Sequence, residues 1–362
     1  RYDAPDAHLE AAETVDSVRI RRLWTSRFGR RFLPGRAIDY LTFYLSTAWC
    51  LYRMTGPGDL VVAKTDPPLI SVVAGWVVRL RRARLVNWLQ DLFPEVAAAL
   101  GIGAAKGAVG GFIARLRDRS LRHAVMNVAI GEGMGRRLMG LGVGKDRMRV
   151  VHNWSDEARI QPLSEASNPL RREWALRGKF VVGYSGNLGR AHEYGTLLDA
   201  AARLQSHEDI VFLFIGGGAA MDGLRADSKK RGIGNLMFRP YQPAERLNES
   251  LSLPDVHLVV LRPEMEGLIV PSKFYGIGAV GRPTIFVGSL EGEIAKVLSD
   301  GDAGLSVETG NGSALASAVM RLRDDSRLRV RLGRNARKLS ETRFSRQTAL
   351  ESWERVLARA GE

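Results

Sequence analysis

Cysteine is almost absent from this chain: Cys50 is the only one among 362 residues. No disulfide can form within the chain and no cysteine-based metal site can be built, so a reducing compartment such as the cytoplasm is expected. Long apolar runs are also missing. Long uncharged stretches, such as those between Asp39 and Arg53 and between Asp66 and Arg79, hold about a dozen residues, against the roughly 18–20 that span a bilayer. Neither lies at the N-terminus, where a signal peptide would sit. Low-complexity segments and solenoid-type repeats are absent, which excludes collagen-like and array architectures. The six histidines show no metal-ligand spacing. No Asp-X-Asp cluster closes a strand, so no metal or other cofactor is expected.

Positive charge, by contrast, is in excess. Lys and Arg number 53 against 39 Asp and Glu, for a formal net charge of +14. Residues 1–176 hold 27 basic and 17 acidic side chains, the remainder 26 and 22. A basic half suits an anionic partner: lipid head groups, phosphorylated substrates or nucleic acid. Arg27, Arg30, Arg31 and Arg36 precede a stripe containing Tyr40, Phe43, Tyr44, Trp49 and Tyr52. That stripe reads first as a core helix and second as a membrane-interface element. With 45% hydrophobic and 25% charged residues, the chain can bury real cores, and its length suits two domains of roughly 150–200 residues each.

From Lys179 onward, short apolar runs alternate with amphipathic stretches, the signature of βαβ units around a parallel sheet. Strands are expected at Phe180–Tyr184, Ile210–Ile215, Leu236–Phe238, Val256–Leu261, Thr284–Val287 and Gly304–Val307, with helices between them and after Ser313. The first half repeats the theme less clearly, with strands at Ser17–Arg21, Leu60–Ala63, Arg84–Trp88, Val125–Ile130 and Met148–Val151. Residues 153–177, with turn formers and no periodicity, read as a linker. The domains expected are 1–152, 178–342 and a closing helix over 343–362.

Open α/β sheets bind ligands beyond the carboxyl ends of their strands. Three glycine-bearing turns fall at such ends in the second half: Ser185–Gly189, Gly216–Gly218 and the Glu266-Gly267 loop. Glycine lets a backbone approach a phosphate closely, and a following helix supplies N–H donors. The segment from Glu264 to Gly276 is the most informative. Pro271 or Ser272 can open a helix, with Ser272 able to cap it. Lys273 then stands in the first turn, where a cation opposes the helix dipole unless an anion joins it. Glu266 on the same rim can accept hydrogen bonds from sugar hydroxyls.

Three segments resemble the nucleotide-sugar domain of family 4 glycosyltransferases: Ser185-Gly186-Asn187-Leu188-Gly189-Arg190, Glu266-Gly267 through Pro271-Ser272-Lys273-Phe274-Tyr275-Gly276, and Gly281-Arg282-Pro283-Thr284. Within that family the resemblance is to the colanic-acid and exopolysaccharide type, supported by Thr65-Asp66-Pro67-Pro68, Asp91-Leu92-Phe93-Pro94-Glu95 and Asn153-Trp154-Ser155-Asp156. It implies the GT-B fold, two Rossmann-like α/β domains facing across a cleft. The N-terminal domain is expected to lack its first βα unit, because the usual opening strand and glycine-rich loop are not recognisable. The resemblance implies a retaining, metal-independent enzyme moving a sugar from a nucleotide-diphosphate sugar to a polyprenyl-diphosphate-linked or saccharide acceptor. Its place would be the cytoplasmic side of the membrane, held peripherally at an anionic surface, with no nucleic acid involved. Lys273, Arg190 and Glu266 are the expected charge-stabilising and donor-positioning residues. Gly186, Asn187, Gly216, Gly217, Arg239, Tyr241, Gly267, Ser272 and Tyr275 would bind donor, and Asp91 and Glu95 would face the acceptor. Two alternatives are a GT-B epimerase, for which no carboxylate–histidine arrangement is visible, and a basic nucleic-acid binder.

Overall fold

Apolar runs flanked by amphipathic helices are satisfied by parallel sheets covered on both faces, and the chain builds two of them. The computed structural model describes residues 9–29, 33–105, 107–156 and 159–362. Two short strands come first, β1 (Ala12–Val15) and β2 (Val18–Arg21), paired antiparallel. The strand expected at Ser17–Arg21 therefore joins a separate ribbon rather than the first parallel sheet. The cause is local: Asp16 and Ser17 both take positive φ (48° and 66°), which closes a two-residue hairpin.

The first parallel sheet holds β3 (Leu60–Lys64), β4 (Arg84–Leu89), β5 (Met126–Ala129) and β6 (Met148–Val150) in that order. A buried amide pair fixes its register, since Asn87 Nδ2 donates to Asn127 Oδ1 at 2.9 Å on directly opposed residues. A one-residue slip would bury both amides unpaired.

The second sheet holds β7 (Phe180–Asn187), β8 (Ile210–Gly217), β9 (Leu236–Arg239), β10 (Val256–Val260), β11 (Thr284–Val287) and β12 (Gly304–Val307). Its spatial order is β12-β11-β10-β7-β8-β9. The chain winds outward from β7 to β9, returns to β10 and winds the other way, so the topological switch lies between β7 and β10. Phe212 and Phe214 pack into one face of this sheet, and Leu213 and Ile215 into the other with Leu170 and Trp174. The latter two belong to the expected linker, so part of residues 153–177 is packed beneath the second sheet.

The closing helix, Arg346–Gly361, crosses back to the first domain. Its Ala349, Val356 and Ala360 pack against Val86, Met126, Val128 and Val151. Arg84 Nη1 donates to the Ala360 carbonyl at 2.9 Å, and Trp353 meets Trp88 edge-on at 4.9 Å.

Arg171 ties the packed linker to the second sheet. It is 1% exposed, donates to the carbonyls of Leu253 and Lys179 and pairs with Asp255 at 2.7 Å. Arg171→Met should leave the Asp255 carboxylate buried without its cation, costing about 3–5 kcal/mol. Urea denaturation followed by circular dichroism should show this as an earlier transition.

Candidate functional site

The carboxyl ends of β7 and β8 stay paired through their glycines, with Gly186 opposite Gly216 and Asn187 opposite Gly217. The Ser185–Gly189 turn expected from the sequence is therefore still strand as far as Asn187. Gly186 and Gly216 have φ of 111° and 131°, and a Cβ on Gly216 would lie 2.4 Å from the Gly186 carbonyl oxygen. Only glycine permits this approach. The Tyr241 ring lies against Gly216 and Gly217 and is otherwise exposed. It offers a flat apolar wall beside the glycines.

Across the switch point, the loop after β10 delivers Lys273. Its side chain is only partly buried by area, yet protein surrounds its ammonium densely enough that lost hydration lowers its pKa to about 7. The residue is therefore less open to the cleft than its motif suggested. Nζ sits 3.8 Å from the centre of the Tyr184 ring and donates to the Tyr184 hydroxyl. Lys273 makes no salt bridge within 4 Å to a carboxylate among the described residues. The Tyr184 hydroxyl in turn donates to the Asn187 carbonyl at 3.0 Å.

His192 packs edge-on to Tyr184, with ring centroids 6.2 Å apart, and accepts from the Gly189 N–H at 3.1 Å. Burial first and the Lys273 charge second push its pKa down to about 4, so the ring is neutral. Arg190 is exposed beside this cluster. Ser272 precedes the Lys273–Ala279 helix but makes no side-chain cap.

Other expected donor residues are engaged elsewhere. Arg239 closes β9 with its guanidinium over the Trp174 ring at 5.3 Å. Tyr275 is buried against Phe274 and Phe344, and its carbonyl accepts from Ser155 Oγ at 3.2 Å. Glu266 accepts from the Glu293 backbone N–H at 2.8 Å, capping the Glu293–Asp300 helix, and burial raises its pKa. The Glu266 carbonyl accepts twice from Arg137 of the first domain, at 3.0 and 2.7 Å. Gly267, with φ of 73°, lies so near this arginine that a Cβ would be 2.8 Å from Nε.

Glu293, which the sequence did not single out, accepts from the backbone N–H groups of Glu132 and Gly133 at 2.9 and 2.8 Å. It thereby caps a helix of the opposite domain. These side chains and Arg136 line a cavity of about 320 Å³ between the domains.

On the first-domain side, Asp91 follows the end of β4, with Thr65 Oγ1 at 3.5 Å. Burial, and then the neighbouring Asp66 charge, push its carboxyl up to about 6. The Tyr44 hydroxyl donates nearby to the Pro68 carbonyl. Glu95, by contrast, is held bidentate by buried Arg117, at 2.9 and 2.5 Å. Its carboxylate is committed to the first domain's own packing.

Residues 167–339 match the family described as glycosyl transferases group 1, and residues 2–154 match the glycosyl transferase 4-like domain. The chain thus carries both glycosyl transferase domains. It is 32% identical over 227 residues to WcaI of Escherichia coli, named as a colanic acid biosynthesis glycosyl transferase, covering 61% of this chain and 55% of that one. It is 29% identical over 266 residues to WbjE of Pseudomonas aeruginosa, also named a glycosyltransferase, covering 72% and 65%. The chain thus spans little more than half to two thirds of these relatives' length. Among solved structures, Anabaena HepE in complex with UDP-glucose superposes with a TM-score of 0.70 at 16% identity, covering 90% of this chain and 83% of that one. The fold is GT-B.

Asp91 supplies a pH test of the first-domain side. Its folded pKa lies above the ordinary value near 3.9, so the native state loses stability as pH rises from about 4 through 6 and does not regain it above. Asp91→Asn should therefore be more stable than the parent at pH 8 by about 1–2 kcal/mol after screening, and no different near pH 4. Thermal denaturation at the two pH values measures this.

Proposed function

We propose that the protein is a retaining glycosyltransferase that moves a sugar from a nucleotide-diphosphate sugar to a lipid-diphosphate-linked or saccharide acceptor in cell-surface polysaccharide synthesis. One observation carries the donor half of this reading. A largely enclosed cation without a carboxylate partner faces two glycine strand ends at the switch point of a parallel sheet. Such a position favours a diphosphate, which supplies the missing charge while the glycines let backbone approach it. Complexes of HepE with UDP and UDP-glucose support a nucleotide donor.

In this reading the bond from the anomeric carbon to the diphosphate oxygen breaks and the nucleoside diphosphate leaves. The acceptor hydroxyl bonds to the same carbon and passes its proton to the departing diphosphate oxygen. Lys273 and Arg190 stabilise the charge that gathers on the leaving oxygen, without a metal ion. Tyr241 stacks on the base, and Asp91 lines the acceptor side. Glu266 contributes by holding the loop that delivers Lys273.

The reading extends to the membrane. No helix among the described residues is long and apolar enough to cross a bilayer. The Leu33–Met54 helix nevertheless turns Ile38, Leu41, Leu45, Trp49 and Tyr52 outward, while Tyr44 faces Pro68. Trp76 and Leu80 of the packed Ile70–Arg81 helix are 68% and 71% exposed. Arg27, Arg36, Arg53 and Arg79 are also exposed, whereas Arg30 and Arg31 lie outside the described residues. Apolar side chains interleaved with cations suit an anionic lipid surface on the cytoplasmic face.

Lys273→Ala should weaken nucleotide-sugar binding by about 1.5–3 kcal/mol, roughly 10–150-fold, without loss of thermal stability. Titration calorimetry against a panel of nucleotide sugars tests this, and unchanged affinity would remove Lys273 from the site. Sedimentation with anionic vesicles should exceed that with neutral ones and fall steeply with salt. Replacing Arg27, Arg36, Arg53 and Arg79 together by Gln should abolish it while leaving nucleotide binding intact.

A further inference from the structure

We infer that Tyr184 is the positioning residue for Lys273: its ring and hydroxyl hold the ammonium until a donor binds, and the donor diphosphate then takes it over with uptake of a proton. The inference rests on the donor reading above. Its ground is a chain of three contacts running from the cation to the glycine turn. Lys273 Nζ donates to the Tyr184 hydroxyl, Nζ also lies 3.8 Å from the centre of the Tyr184 ring, and the hydroxyl donates to the Asn187 carbonyl at 3.0 Å.

A tyrosine as the only hydrogen-bond partner among the described residues is unusual for an enclosed cation. A carboxylate there would form a closed ion pair that a phosphate must break, whereas a phenol and a π-face orient the ammonium and leave its charge unneutralised. Tyr184 is 0% exposed and packs against Phe214 and His192, so its ring has no freedom to follow the lysine. It serves as a fixed rest. The same hydroxyl reaches backbone at Asn187, so the rest and the glycine strand end are parts of one hydrogen-bonded unit.

Exposed Arg190 stands beside this cluster, and Glu264, a carboxylate on the Arg262 side, pairs with Arg262 at 3.8 Å rather than with Lys273. His192 is kept neutral by burial and then by the Lys273 charge. Arg262, after β10, lies close enough to His192 to disfavour its protonation. Burial pushes the Tyr184 phenol up, so it stays protonated and uncharged. None of His192, Arg262 and Tyr184 supplies a negative charge. With its pKa lowered to about 7, Lys273 is partly deprotonated at neutral pH. A diphosphate binds the charged form, so affinity falls as pH rises through this value, by at most tenfold per pH unit for one linked proton.

The test measures the Kd of UDP-glucose, GDP-mannose and dTDP-glucose between about pH 6 and 9, where their diphosphates stay ionised, for the parent, Tyr184→Phe and Lys273→Arg. For the parent, Kd should begin to rise near pH 7. Tyr184→Phe keeps the ring but removes the acceptor, so the ammonium loses stabilisation. Its rise should begin about half to one pH unit lower, with little change in affinity at pH 6. Lys273→Arg, charged throughout, should give a flat profile.

Coincident profiles for the parent and Tyr184→Phe would overturn the inference, and so would a uniform offset at every pH, since a merely structural tyrosine would produce either. Should Tyr184→Phe fail to fold by circular dichroism, calorimetry of the parent in two buffers of different ionisation heat decides. Net proton uptake near pH 7.5 that vanishes in Lys273→Arg supports the inference, and none overturns it. If none of the three nucleotide sugars binds the parent at any pH, the donor reading itself fails and takes this inference with it.

Discussion

Two carboxylates set how the domains meet. Glu266 caps the helix that begins at Glu293, and Glu293 caps the helix of the opposite domain that begins at Glu132. Each anion satisfies backbone N–H groups that a helix start leaves without partners. The two caps are consecutive, so the loop carrying Lys273 and the facing helix of the first domain are fixed by one relay. Gly267 and Gly133 let the backbones come close enough for it, and Arg137 closes the contact on the Glu266 carbonyl. The relay also gives Glu266 a structural duty that its motif position did not announce. One oxygen of its carboxylate serves the scaffold, one step behind the residue its loop presents.

The donor side follows the opposite logic. A group that is costly in the empty protein is placed where a ligand would relieve the cost. Lys273 loses hydration without gaining a counter-ion, and Asp91 across the cleft is held near another carboxylate, Asp66. Half-buried Glu95 and buried Arg171, by comparison, are paired at once. The contrast separates groups that complete the fold from groups left open at the cleft.

Most of the architecture was legible because parallel strands buried on both faces write themselves as short continuous apolar runs. All six strands of the second sheet lie where those runs predict, within a residue or two except at the end of β7. There Gly186 and Asn187 read as turn but remain paired, since glycines facing glycines across β7 and β8 can continue the ladder at positive φ. Ser17–Arg21 carried a strand pattern without revealing its partner, which depends on the backbone at Asp16 and Ser17. Lys273 was legible from its place after Pro271 and Ser272. Tyr184, His192 and Glu293 were not: a tyrosine in a strand, a histidine in a turn and a glutamate opening a helix are ordinary in one dimension. Their roles come from what the fold sets beside them. Arg239 and Tyr275 show the converse, with motif positions leading to Trp174 and Phe344.

The crossing of the Arg346–Gly361 helix onto the first sheet bears on how the protein is made. That helix covers Val86, Met126 and Val128, residues that emerge from the ribosome some 200 positions before it. At about 5–20 residues per second, the interval is on the order of 10–40 s. During it the first domain has its strands but not its lid, and one apolar sheet face stays open to chaperones or to another nascent chain. The second domain, whose core is contiguous in sequence, can finish beforehand. Closure of the first domain therefore waits on a segment made after the second domain's own core.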